Sequence, residues 1–188
     1  MIWIIGVAVF LLLFILFARM PKKKSLPGTL QERVGVAAAL ICSTLKRNGF
    51  EKATDEEQYM WEAISFILGN LSALGFIDET KTRAIGQNIG CSYKDSGYNR
   101  RLSGYRIISG CIFYKGEVEK MMAKEHDMPD VIIYNLTNPG NSRKYFDEIP
   151  LLGVDFLKYM AIWADISDIM KNFFFNSSED ISKLPLGE

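Results

Sequence analysis

His126, in the stretch AKEHDMPD, is the single histidine of the chain, and carboxylates crowd it at Glu125 and Asp127, with Asp130 four residues on and Glu119 seven residues before. An imidazole among carboxylates could move a proton or hold a metal ion. Neither the E-x-x-H nor the H-x-x-x-H spacing that places two ligands on one helix face is present, so a solvated helix end is the plainer reading. Asp165 and Asp168 stand three apart and could share a cation, but Lys158 and Lys171 beside them favour a hydrated surface stripe. Cys42, Cys91 and Cys111 are odd in number and show no C-x-x-C spacing, and a cysteine nucleophile would have only His126 as its base. Glycine-rich phosphate loops and a nucleophile elbow do not occur. No catalytic, cofactor or metal residue is assigned, and the chain reads as a non-enzymatic protein.

The stretch KDSGYNRRLSGYR holds the strongest candidate for recognition, because Ser-Gly-Tyr recurs after seven residues with arginines between and after. Tyr98, Arg100, Arg101, Tyr105 and Arg106 together suit capture of a carboxylate or phosphate, or an interface hot spot, since a guanidinium is a planar fork of donors. The alternative is an exposed loop whose arginines pair with the protein's own acidic surface.

Such a site needs elements to hold it, and the N-terminus says where those elements stand. From Ile2 to Ala18 no charged, amide or hydroxyl side chain occurs. About 17 helical residues reach about 26 Å, slightly under the roughly 30 Å of a bilayer core. Arg19, Lys22, Lys23 and Lys24 follow and can snorkel, while Trp3 suits the opposite interface. A cleavable signal would carry its positive charge before the apolar run and small residues at a cleavage site, and neither feature is found. The expectation is a retained single-pass anchor with its N-terminus outside and the remaining chain cytoplasmic, in a bacterial inner membrane.

The chain has 22 basic and 22 acidic residues. Its first 24 residues hold four of the basic and none of the acidic ones, which leaves 18 against 22, a net charge of −4, for residues 25 to 188. A negative body argues against nucleic-acid binding, whereas the basic neck suits anionic headgroups.

Thr29 and Glu32 have the spacing of a capping box, and Asn48-Gly49 supplies a stop, so a helix is expected between them. Thr54 and Glu57, with the stop Leu74-Gly75-Phe76, repeat that grammar. Met60, Trp61, Ile64, Ile67, Leu68, Leu71 and Leu74 give the second helix one apolar stripe; the first, apolar also at Val36 and Leu40, is expected to be the central one. A third helix covers Asp78 to Ile89, and residues 91 to 104 read as a loop. Ile108, Cys111, Ile112, Lys115, Val118 and Met122 favour a helix over 105–125, with a strand as the rival from its β-branched content. Asp127 and Pro129 suggest a further helix start before VIIYNL, again with a buried strand as rival. Leu152, Phe156, Met160, Trp163, Met170, Phe173 and Phe174 mark the last helix, and a loose polar tail follows Asn176.

The fold class is mainly α: an N-terminal transmembrane helix and one soluble helical-bundle domain, with short strands possible within 105–137. The boundaries are 1–20 for the anchor, 21–28 for the basic linker, 29–175 for the helical domain and 176–188 for the tail. The expected partners are the lipid bilayer and a membrane-associated protein, with no nucleic acid and no cofactor. The expected function is that of an accessory subunit, adaptor or immunity-type protein at the cytoplasmic membrane face. Its rivals are a membrane-tethered enzyme acting on a phosphorylated or lipid-derived substrate, and an exported domain.

Overall fold

The computed structural model describes residues 26, 28–50, 56–92, 100–124, 130–139, 143–145, 148–149, 156–176 and 179–187. They form six α-helices: α1 (Leu30–Arg47), α2 (Glu56–Ala73), α3 (Glu79–Ser92), α4 (Arg100–Met122), α5 (Asp130–Thr137) and α6 (Phe156–Met170). The last continues as a π-helical turn, Lys171–Phe175, and a 3-10 turn, Ile181–Lys183, follows. No strand occurs among the described residues, so the helical reading of 105–125 and of the segment before Asn138 holds over its rival.

Local chemistry sets the helix ends. The Thr29 hydroxyl accepts from the Glu32 amide at 3.2 Å while the Thr29 amide donates to Glu32 Oε2 at 3.1 Å, which satisfies two first-turn donors of α1 reciprocally. Gly49, at φ +75°, turns the chain after α1 so that the Phe50 amide reaches the Leu45 carbonyl at 3.0 Å. Gly75 does the same after α2 at φ +75°, with Phe76 bonded to Leu71 at 2.9 Å. Asp78 caps α3 by accepting from the Lys81 amide at 2.7 Å.

The central helix is α2, not α1. Residues 61 to 69 of α2 are all buried, because α1, α3, α4 and α5 pack around it. Val36 and Leu40 on α1, expected inside, are 43% and 41% exposed. One side of α1 meets α2 and α6 through Val34, Ala37, Ile41 and Leu45, and its other side faces solvent.

The face of α4 also differs from the expected one. Ile107, Cys111, Tyr114 and Val118 enter the core, whereas Ile112 and Met122 are 65% and 51% exposed. The helix carries two apolar stripes, and the core took the one that lets α2 approach closely. Nor is 91–104 all loop, since α3 runs to Ser92 and α4 begins at Arg100.

The tail is not loose over its described part. Ile181 is buried, the Leu30 amide donates to Pro185 O at 2.8 Å, and the Gln31 amide donates to Leu186 O at 3.1 Å. Arg33, buried on α1, pairs with Glu179, and Lys81 Nζ donates to the Ser182 carbonyl. The tail supplies acceptors that the first turn of α1 lacks within its own helix.

No helix among the described residues is long and apolar enough to cross a membrane. The expected anchor, with Trp3, Arg19 and the lysines Lys22, Lys23 and Lys24, lies outside the described residues, as do the second capping box at Thr54, the cap at Asp127, and Leu152.

Candidate functional site

Among the described residues α2 and α4 approach each other closely, and small residues permit it. A Cβ on Gly69 would stand 2.8 Å from Tyr114 Cβ and 2.9 Å from the Cys111 carbonyl oxygen, so only glycine admits this separation. Gly110 faces Ser65 and the Arg143 guanidinium, which would lie 2.6 Å from an added Cβ. Ser65 Oγ lies 2.7 Å from the Trp61 carbonyl and 3.2 Å from the Ile107 carbonyl, which ties the two helices.

An ion pair closes this contact on one side. Glu62, 6% exposed on α2, accepts from Arg143 Nε at 2.8 Å and from Nη2 at 3.0 Å, and from the Tyr114 hydroxyl at 2.8 Å. A bidentate fork on a carboxylate is the strongest of the ordinary side-chain pairings. Burial opposes the Arg143 charge, but the Glu62 carboxylate and its hydrogen bonds outweigh that and hold the guanidinium pKa above its ordinary value. Burial also pushes the Tyr114 hydroxyl well up, and the neighbouring Glu62 charge adds to it. The Cys111 thiol is pushed up to about 12 by burial, partly offset by Arg143. Such a thiol is no nucleophile at neutral pH.

Beside this contact a cleft of about 370 Å³ opens between the start of α3 and the middle of α4. Ile77, Ile108 and Ile112 make its apolar wall, with Thr82, Arg83 and Lys115 among its polar groups. Arg83 is held by Glu79 at 2.9 and 2.6 Å, and Lys115 by Glu119 at 3.5 Å. The volume is at the small end for a ligand pocket and suits one apolar group flanked by charge.

Of the residues expected to form one recognition loop, the structure describes the side chains of Tyr105 and Arg106. Arg100 and Arg101 belong to the first turn of α4, and Tyr98 lies outside the described residues. Tyr105 is 72% exposed, whereas Arg106 turns inward, with its guanidinium 5.8 Å from the Trp61 ring centroid. Arg106 therefore packs the fold, and Tyr105 is left on an outer row of α4 with Ile112 and Glu119. His126 lies outside the described residues. Asp165 and Asp168 do not converge on a shared cation: Asp165 faces Arg47 at 3.8 Å and Asp168 faces Lys171 at 3.6 Å.

Sequence reasoning missed Glu62, Tyr114 and Arg143. One signal was available, since a glutamate inside WEAISFILG, on a helix otherwise apolar, requires a buried cationic partner. No protein-family model, no curated protein and no solved structure matches the chain.

Proposed function

We propose that this chain is a membrane-anchored, non-enzymatic interaction module that works at the cytoplasmic face, as an accessory subunit, adaptor or immunity-type protein. One observation carries the proposal. The uncharged run Ile2 to Ala18 ends in a cluster of four basic residues, and the capping box of α1 begins at Thr29. Residues 1–20 would span the bilayer, with Trp3 at the outer interface. Arg19, Lys22, Lys23 and Lys24 would lie on anionic headgroups, each lysine contributing roughly 1 kcal/mol. Confinement to a thin layer raises the effective concentration of the domain toward any partner in the same membrane.

The outward apolar side chains Tyr105, Ile112 and Met122 on α4 favour protein binding, because an aliphatic and aromatic row of this kind gains free energy when another surface covers it. The test is topology. A fluorescent reporter that matures only in the cytoplasm, or a phosphatase active only outside it, is fused after Glu188 of the full chain. A fluorescent fusion with an intact N-terminus is the expected result. Phosphatase activity would overturn the cytoplasmic placement and leave an exported domain in its place.

A further inference from the structure

The cleft beside the α2–α4 contact begins where α3 and α4 stop touching. The two helices meet at Gly86, where an added Cβ would stand 3.1 Å from Ile107 Cγ2 and 3.7 Å from Ile108 Cγ1. Toward the start of α3 they leave about 370 Å³ between them.

The lining divides by chemistry. Ile77 and Cys111 are buried, and Ile108 and Ile112 stand with them, so one part of the wall offers only apolar contact. The buried Thr82 asks nothing of a ligand, because its hydroxyl donates to the Asp78 carbonyl at 2.8 Å. The charged part of the lining is balanced: Asp78 and Glu79 against Arg83 and Lys115. Each of the four keeps bonding capacity among the described residues. Arg83 gives Nε and Nη2 to one oxygen, Glu79 Oε1, which leaves Arg83 Nη1 and Glu79 Oε2 unspent. Asp78 accepts the Lys81 amide on Oδ1, which leaves Oδ2. Lys115 meets Glu119 no closer than 3.5 Å.

We infer that this cleft binds a free apolar α-amino acid. The side chain lies against Ile77, Ile108 and Ile112, the carboxylate turns to Arg83 and Lys115, and the ammonium turns to Asp78 and Glu79. Charge, size and polarity each point to that class. A rim with two charges of each sign gives a simple anion or cation no net attraction, whereas a zwitterion is complementary at both of its ends. The volume holds about a dozen water-sized groups, which suits leucine or phenylalanine and is too little for a nucleotide. A polar side chain would be left without partners on the isoleucine wall, so the wall selects an apolar one. Exposed ion pairs are weak in water, but a ligand that covers the wall also displaces water from the rim and strengthens its own pairs there. The site adds a ligand to the interaction-module reading and rests neither on the anchor nor on a protein partner.

The test uses the purified full chain in a sterol-based detergent, whose rigid tail is too large for the cleft. Leucine and phenylalanine are titrated by ligand-detected nuclear magnetic resonance, beside three probes that each lack one feature. Glycine lacks the apolar side chain, 4-methylpentanoate the ammonium and 3-methylbutylamine the carboxylate. The expected result is saturable binding of leucine or phenylalanine at one site, with each of the three probes weaker by about tenfold or more. No saturable binding of either amino acid overturns the inference, and so does any of the three probes binding as tightly as the amino acids. The second measurement is on Arg83→Gln combined with Lys115→Gln, two exposed positions whose loss leaves the core untouched. Leucine should bind about tenfold more weakly to this variant, while 3-methylbutylamine, which has no carboxylate to lose, should bind no more weakly than before. Unchanged leucine binding, or an equal loss for both, would place the ligand elsewhere and overturn the assignment.

Discussion

Replacing Gly69 by alanine and Gly35 by alanine is the same chemical change with opposite expected signs. Both glycines are inside helices, Gly35 in α1 and Gly69 in α2, and alanine in a helix interior is favoured by about 1 kcal/mol over glycine. Around Gly35 nothing lies within 4 Å of an added Cβ, so only the propensity acts. Around Gly69 the new methyl would stand 2.8 Å from Tyr114 Cβ, 2.9 Å from the Cys111 carbonyl oxygen and 2.9 Å from the Lys115 amide nitrogen. Contacts of this kind are comfortable from about 3.5 Å, so α4 must withdraw by roughly half an ångström or more. None of the three atoms is the end of a flexible side chain. Overpacking of this kind costs about 1–3 kcal/mol, and rigid neighbours put it at the upper end. The net expectation is a loss of about 2 kcal/mol for Gly69→Ala, or a melting temperature lower by about 4–8 °C at this chain length. Gly35→Ala should raise it by about 2–4 °C. Thermal unfolding of the three full-length proteins in one detergent, followed by far-ultraviolet circular dichroism, decides the matter. Gly69→Ala melting at or above the parent would refute the close-packing argument.

Three further outcomes are expected. Arg143→Met leaves the buried Glu62 carboxylate without its cation and should destabilise by about 3–5 kcal/mol, while Glu62→Gln combined with Arg143→Met should recover part of that loss in urea titrations. Thr29→Ala removes the side-chain half of the capping box and should cost about 1 kcal/mol in the same titration. Cys111 should resist alkylation at pH 8 in the folded protein and react once it unfolds. Because its pKa is raised from 9.0 to about 12 on folding, its protonated form favours the native state below pH 9, and that contribution fades as pH rises toward 12. Calorimetric melts between pH 8 and 11 on Cys111→Ala and the parent measure it, the parent alone losing stability through this group.

The helix boundaries were legible where the signals are local. Thr29 with Glu32 and Gly49 with Phe50 act within a few residues, and the structure places each as the spacing required. The rotation of α4 was not legible. Its two apolar stripes differ little in composition, and the choice between them depends on Gly69 and Gly110, which carry no hydrophobic signal. The central position of α2 was hidden for a similar reason, since Glu62 interrupts its apolar pattern and its partner is 81 residues away in sequence. The arginine-tyrosine stretch was legible as unusual, but the helix distributes it: Arg106 packs on Trp61 while Tyr105 stays outside. The tail escaped notice because backbone carbonyls at Pro185 and Leu186 do its work, and a carbonyl has no sequence signature.

That tail also sets an order on folding during synthesis. Domains made by the ribosome tend to settle from the N-terminus onward. Here α1, which precedes the other described helices, has two amides, at Leu30 and Gln31, whose acceptors, at Pro185 and Leu186, come far later in the chain. Its buried Arg33 waits for Glu179 in the same way. The nascent α1 can pair with α2 early, but its first turn stays open to water, and to other binders, until residues 179–187 have cleared the ribosome.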